Sequence, residues 1–323
     1  MNNKFTFDDV LIVPAFSDVE RGEIFVGGNM FFDCTLDIPI LSSPMDTVSG
    51  EQMVLAMNFN GALGVHYRNC SIEVFTSMLD MGCAVAVFPS MEDTFYNAIT
   101  YANTTPILVL DVAHGNTRRN LDFCEKFVKI GCHVVSGNIA DKEAALRYLN
   151  IGVNYFRVGI GSGSVCTTRK VCGIGYPQGS AIKEINELRF DHPQLRIISD
   201  GGHKTTGDIV KALALGADFV MLGGMLAGAD EAEGMTELMS GERFGAYRGM
   251  ASAASLSLRK KEFFVEGIGK NVPPVGSVKD VLKTIKDAIE QACYYTGSRN
   301  LQELRESEII FLSEGSKIES YVR

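Results

Sequence analysis

Short apolar runs recur along the chain and alternate with amphipathic stretches of helical period. The runs at 38–43, 62–66, 84–88, 107–111, 133–137, 155–159, 196–199 and 219–222 are each of strand length and close at a glycine or polar cluster. Between them, 121–130, 142–150, 181–189 and 206–215 read as helices, and 278–294 as a later one. Thr205 or Thr206 suits the N-cap of the fourth, and Gly216 its stop. Continuously apolar strands alternating with helices mean a parallel sheet covered on both faces. Eight such units favour closure into a (β/α)8 TIM barrel over an open sheet.

The barrel reading gives the polar clusters a common address. Ser42-Ser43-Pro44-Met45-Asp46, Asp111-Val112-Ala113-His114-Gly115, Gly137-Asn138, Gly161-Ser162-Gly163, Asp200-Gly201-Gly202 and Gly223-Gly224 all follow strands. They therefore fall on the C-terminal face, where barrel active sites lie. Before the strands, residues 5–14 form an extended lead-in ending at Pro14. Residues 228–276 form an excursion after the eighth strand, and such length inside a domain marks function or disorder. The tail from Leu301 carries no clear pattern.

Composition narrows the partners. A net charge of −9, without a compensating basic run, argues against nucleic acid or an anionic membrane. Eight cysteines are scattered without a C-x-x-C pair, and five histidines show no ligand spacing, so neither a disulfide framework nor a zinc site is expected. Nothing at Met1-Asn2-Asn3-Lys4 resembles a signal peptide and no apolar run reaches membrane-spanning length. The expectation is one catalytic domain over residues 1–323, cytoplasmic, with reduced thiols.

Chemistry concentrates in Tyr155-Phe156-Arg157-Val158-Gly159-Ile160-Gly161-Ser162-Gly163-Ser164-Val165-Cys166-Thr167-Thr168-Arg169. A buried strand stops at a glycine-serine turn and presents Cys166 just beyond it, among hydroxyls and near Arg169, a setting that favours a thiolate nucleophile over a buried thiol. Asp200-Gly201-Gly202 and Gly223-Gly224, after strands seven and eight, suit phosphate binding by backbone amides. The Asp200 carboxylate suits ribose hydroxyls.

These residues resemble one family. Gly161 to Arg169, with Gly173-Ile174-Gly175-Tyr176-Pro177-Gln178, is similar to the catalytic loop of the IMP dehydrogenases and GMP reductases. Phe7-Asp8-Asp9-Val10-Leu11, Ser43-Pro44-Met45-Asp46, Ser199-Asp200-Gly201-Gly202 and Tyr247-Arg248-Gly249-Met250 extend the likeness, in order, from residue 5 to about residue 297. The resemblance implies a mobile flap within about 228–276. It implies no CBS domains, since Cys70 to Cys83 leaves no room for them.

Within the family, the absence of an Arg-Tyr pair before Glu266-Gly267, together with Tyr176-Pro177-Gln178 and Leu222-Gly223-Gly224-Met225, resembles GMP reductase. Tyr247-Arg248-Gly249-Met250, the histidine of Asp111-Val112-Ala113-His114-Gly115, and the lack of a lysine two positions after Glu266 have the dehydrogenase form. The implied activity is NADPH-dependent reductive deamination of GMP to IMP and ammonia, through a covalent bond from Cys166 to C2 of the purine. Thr168 and Glu266 would relay a proton.

By the same resemblance Ser164, Asp200, Gly201, Gly202, Gly223, Gly224, Tyr247, Gly249, Met250 and Gly267 would bind the nucleotide. Asp111, Ala113, His114 and Gly115 would meet the nicotinamide cofactor. Carbonyls of Gly161, Gly163 and Cys166 would hold K+, and the assembly would be a homotetramer. The alternatives are a compact IMP dehydrogenase using NAD and an inactive nucleotide-binding barrel.

Overall fold

Eight parallel strands pair edge to edge, in an order that follows the chain around a ring. They are β1 (Ile40–Ser42), β2 (Val65–His66), β3 (Ala84–Val87), β4 (Ile107–Leu110), β5 (His133–Ile139), β6 (Tyr155–Val158), β7 (Arg196–Asp200) and β8 (Phe219–Leu222). β8 returns to pair with β1 through Val220 and Ile40. The ring closes between β1 and the residues leading into β2, where Ser42 N donates to Leu63 O and Leu63 N to Ile40 O, both at 3.0 Å. The fold is the (β/α)8 barrel expected, seen in a computed structural model that describes residues 4–250, 252, 265 and 267–318.

The longer helices between strands are α1 (Glu51–Phe59), α2 (Ile72–Asp80), α3 (Asp93–Thr100), α4 (Arg118–Lys129), α5 (Lys142–Leu149), α6 (Gln178–Asn186) and α7 (Thr206–Ala214), and α8 (Val278–Thr296) follows the eighth strand and its excursion. Thr205 caps α7 in a reciprocal capping box with Asp208, and Gly216 takes φ +115 just past its end. α6 starts earlier than its apolar pattern suggested, directly after Pro177, whose fixed φ fits a helix entry.

Each strand divides its side chains between two cores. On β4, Ile107 and Val109 fill the barrel interior while Leu108 and Leu110 pack under the helices. This two-sided burial is why the strands read as unbroken apolar runs. The lower mouth of the barrel is plugged by a hairpin of Asn29–Phe31 and Cys34–Leu36. Its fully buried Phe31 meets Phe219 and Tyr155 edge-on, at 5.0 and 5.1 Å between ring centroids.

Two regions differ from expectation. The lead-in is a 3-10 turn, Phe7–Asp9, followed by a strand, Val10–Ile12, which pairs antiparallel with Ile309–Phe311 of the tail. The tail is therefore structural, and its Leu301 and Leu304 are buried. The excursion after β8 contains a three-stranded antiparallel sheet of Met235–Glu237, Arg243–Arg248 and Gly269–Val272. The three cationic residues Arg259-Lys260-Lys261 within the excursion, and the catalytic candidate Glu266, lie outside the described residues. No helix among the described residues is long and apolar enough to cross a membrane.

Candidate active site

The C-terminal ends of the strands surround a cavity of about 600 Å³. That is room for a nucleotide with part of a second ligand. Cys166 stands on its wall, half-buried, with Sγ 3.1 Å from Thr168 Oγ1. The loop that carries it is pinned from two sides. Cys166 N donates to Gly163 O at 3.0 Å, and Cys166 bridges Gly267 antiparallel while Ile268 N donates to Val165 O at 3.0 Å. Gly249 N in turn donates to Ile268 O at 3.1 Å. Two stretches of the excursion, at Gly249 and at Gly267–Ile268, thus meet each other and the loop that carries Cys166. Gly161 takes φ +76, and a Cβ there would lie 2.7 Å from Arg169 Cγ, so this turn needs glycine.

Beside the cysteine is a cradle of hydroxyls and bare backbone. Tyr247 is buried beside Ser164 and Gly224, and burial pushes its phenol pKa up. A Cβ on Gly223 would come within 2.9 Å of Tyr247 Oη and 3.0 Å of Met45 Sδ, so glycine there leaves the amides open to a ligand. Gly201, at φ +91, packs over Ser162 and Gly163. Ser164, Gly202, Gly249 and Met250 complete this end of the lining.

The floor is a chain of charges. Arg157, only 5% exposed, points up from β6 between two carboxylates. Its Nε and Nη2 reach Asp200 Oδ2 at 3.0 and 2.8 Å, and Nη1 lies 3.0 Å from Leu110 O and 3.3 Å from Asp111 Oδ1. Asn138 Nδ2 adds bonds to Asp200 Oδ2 at 2.8 Å and Gly159 O at 2.9 Å. On the far side Arg68 Nε is 3.2 Å from Asp111 Oδ2. Arg248 grips Asp46 with two nitrogens, each at 3.1 Å.

Of the four residues assigned to the cofactor, Asp111 and Ala113 line the cavity; His114 is exposed and Gly115 is buried, and neither lines it. Gly115 serves packing, since a Cβ would lie 2.7 Å from the carbonyl carbon of Gly137. Gly267 acts through its backbone pairing with Cys166. Among the described residues no group of histidine, cysteine or carboxylate side chains is arranged to hold a metal ion.

Asn138, of the Gly137-Asn138 cluster, lines the cavity, and so do Arg157, Arg68 and Arg119, for which the sequence pattern suggests no role. One signal was available: an arginine inside the apolar run Tyr155-Phe156-Arg157-Val158 must find buried counter-ions. Four of the other thiols are kept protonated by their surroundings. Burial raises Cys124 and Cys293 to about 12, and Cys70 and Cys132 to about 11.

Comparison with known proteins identifies the family. A family model described as "IMP dehydrogenase / GMP reductase domain" matches residues 4–81 and 75–323, its two pieces meeting near the end of α2. The inosine-5′-monophosphate dehydrogenase of Borreliella burgdorferi is 31% identical, covering 98% of this chain and 96% of that protein. The namesake of Thermoplasma acidophilum is 38% identical over 93% of this chain and 90% of its own length. That of Methanocaldococcus jannaschii is 33% identical over 98% and 94%. The last alignment is 469 positions long against a chain of 323 residues, so a long stretch of that relative has no counterpart here. A model of this family over nearly the whole chain, and relatives above 30% identical over almost their full lengths, show that the chain belongs to the IMP dehydrogenase / GMP reductase family.

Proposed function

We propose that the protein reduces GMP to IMP and ammonia with NADPH. The observation that carries the reading is the Cys166 Sγ to Thr168 Oγ1 contact of 3.1 Å at the wall of a nucleotide-sized cavity. The base would lie against this pair, its ribose on Asp200 and its phosphate in the cradle of Ser164, Gly223, Gly224 and Tyr247. Asp200 fits the ribose because Oδ2 takes all its protein donors, leaving Oδ1 without a partner among the described residues.

The Cys166 sulfur would add to C2 of the purine. The C2 amine leaves as ammonia, taking a proton through the Thr168 hydroxyl from Glu266. Asp111 and Ala113 would hold the nicotinamide, which would supply the hydride that C2 needs, and the Cys166 thiolate would be released as the C2–S bond breaks. The sum is GMP, NADPH and two protons giving IMP, NADP+ and ammonium. The carbonyls of Gly161, Gly163 and Cys166 would take K+. Gly163 O already accepts from Cys166 N, and its second lone pair remains for the ion. We also place the chain among compact members with one catalytic domain and no CBS pair, acting as a cytoplasmic homotetramer.

One alternative has specific support. The relatives above are named inosine-5′-monophosphate dehydrogenases, and Tyr247-Arg248-Gly249-Met250 has that form. This weighs toward oxidation of IMP with NAD; against it stands the missing Arg-Tyr pair that would activate water. Assaying both reactions on one preparation decides between them. We expect one ammonium per NADPH oxidised with GMP and little NADH from IMP and NAD. Efficient NADH formation without ammonia from GMP would replace the first reading with the second.

A further inference from the structure

Among the described residues Arg68, Arg119 and Arg157 line the cavity, Arg248 sits between its lining residues Tyr247 and Gly249, and all but Arg119 are ion-paired. Arg157 lies between Asp111 and Asp200, Arg68 beside Asp111, and Arg248 on Asp46. Arg119, at the start of α4, is different. Its Nη2 donates to Ser90 Oγ at 2.7 Å and Pro89 O at 3.1 Å, both neutral acceptors. Among the described residues no carboxylate pairs with it, and its Nε and Nη1 have no partner. A guanidinium held in place by neutral groups keeps its full charge and presents a fork suited to a phosphate. In a chain of net charge −9, that is a local reversal of sign.

Position narrows the phosphate. The cradle proposed for the substrate's phosphate lies on loops after β6 and β8, across the barrel mouth from Arg119 and Ser90, which follow β4 and β3. A nicotinamide that reaches C2 beside Cys166 sends the rest of its dinucleotide outward past Asp111 and Arg68. Arg119 is exposed and lines the cavity on the β3–β4 side, away from the proposed phosphate cradle, where the adenosine end of such a path would fall. We infer that Arg119 binds the adenosine 2′-phosphate and so selects NADPH over NADH. This rests on the nicotinamide reading of the cavity but not on the direction of the reaction.

Calorimetric titration of the full chain with 2′,5′-ADP and with 5′-AMP tests it without turnover. The unmodified protein should prefer 2′,5′-ADP. Arg119→Ala should weaken 2′,5′-ADP roughly tenfold or more, as for loss of a charge-assisted pair, and leave 5′-AMP nearly unchanged. Arg119→Lys should retain part of the preference. Arg118→Ala, altering an exposed neighbour that does not line the cavity, should retain all of it. Equal loss for both ligands, or no preference in the unmodified protein, overturns the inference. Failure of GMP reduction would show separately, as absent turnover with 2′,5′-ADP binding intact.

Discussion

Arg157 grips Asp200 by one oxygen only: Nε at 3.0 Å and Nη2 at 2.8 Å both meet Oδ2. The same guanidinium reaches Asp111 at 3.3 Å, so one buried cation serves the carboxylate at the proposed ribose site and the carboxylate at the proposed cofactor site. Its carboxylate partners hold its pKa above the usual arginine range despite burial. Removing it would leave two carboxylates facing each other in a low-dielectric floor. We expect Arg157→Met to cost about 3–5 kcal/mol in a urea unfolding titration, the range for breaking a buried ion pair. A loss below about 1 kcal/mol would mean that water already solvates this floor.

The nucleophile prediction is simpler. Cys166→Ala should abolish turnover and leave GMP affinity and the melting profile close to those of the unmodified protein, because only the covalent step is lost. Cys172→Ala, at an exposed site beyond the short helical turn Thr168–Val171, should stay near full activity. Substantial turnover by the Cys166 variant would end the covalent mechanism.

At the phosphate end, Gly223→Ala places a Cβ 2.9 Å from Tyr247 Oη and 3.0 Å from Met45 Sδ, closer than real side chains tolerate. Tyr247 must shift, and its packing beside Ser164 and Gly224 goes with it. The KM for GMP should rise roughly tenfold or more, as for loss of charge-assisted hydrogen bonds to phosphate. Binding of guanosine, which has no phosphate, should change little. Equal losses for GMP and guanosine would move the phosphate elsewhere.

Acid sensitivity should centre on His203. It stacks on Phe7 at 5.3 Å, and Ser199 Oγ lies 2.9 Å from its Nε2. Ser199 Oγ accepts from Gln178 Nε2 at 3.3 Å and so has its own proton to give the ring. Burial pulls His203 down to about 4, against a partly opposing pull from Asp200 and Asp208. Its folded pKa is below its unfolded one, so the unfolded chain binds the proton first as pH falls. Stability is therefore full above about pH 6.5 and declines toward pH 4, by at most roughly 1.4 kcal/mol per pH unit from this residue. His203→Gln should flatten the unfolding free energy over that window. Some slope should persist from His66, which burial also lowers. An unchanged slope would show that His203 is solvated.

What was legible in the sequence follows from which forces are local. Eight strands could be placed because both faces of each are buried, so every position in runs such as Ile107–Leu110 is apolar. The glycine turns were legible for a similar reason, since a φ of +76 at Gly161 or +91 at Gly201 strongly favours one residue type. The pairing of Val10–Ile12 with Ile309–Phe311 was not. Three-residue strands have no period to read, and their partners lie at opposite ends of the chain. Nor was the barrel plug, where one phenylalanine, Phe31, does most of the filling. Asp111 was picked out as a cofactor contact, but its bonds to Arg157 and Arg68 depend on three different strands meeting. No local pattern encodes that.

The last prediction concerns the proton that ammonia carries away. Glu266 lies outside the described residues, but its neighbour Gly267 pairs with Cys166 through the backbone, and Thr168 Oγ1 stands 3.1 Å from the sulfur. A hydroxyl can pass a proton to a departing amine only if something resupplies it, and a carboxyl is the natural source. Hydride transfer at C2 needs no such donor. Glu266→Gln should therefore slow ammonia release from GMP by about a hundredfold or more, a typical loss for a general acid. The reverse half-reaction, a single-turnover burst of NADPH from IMP and NADP+, should change only a few-fold. Thr168→Val should reproduce the same split, because it cuts the same path at the other end. Should both variants lose hydride transfer and ammonia release in equal measure, these residues hold the nucleotide in place and the proton comes by another route.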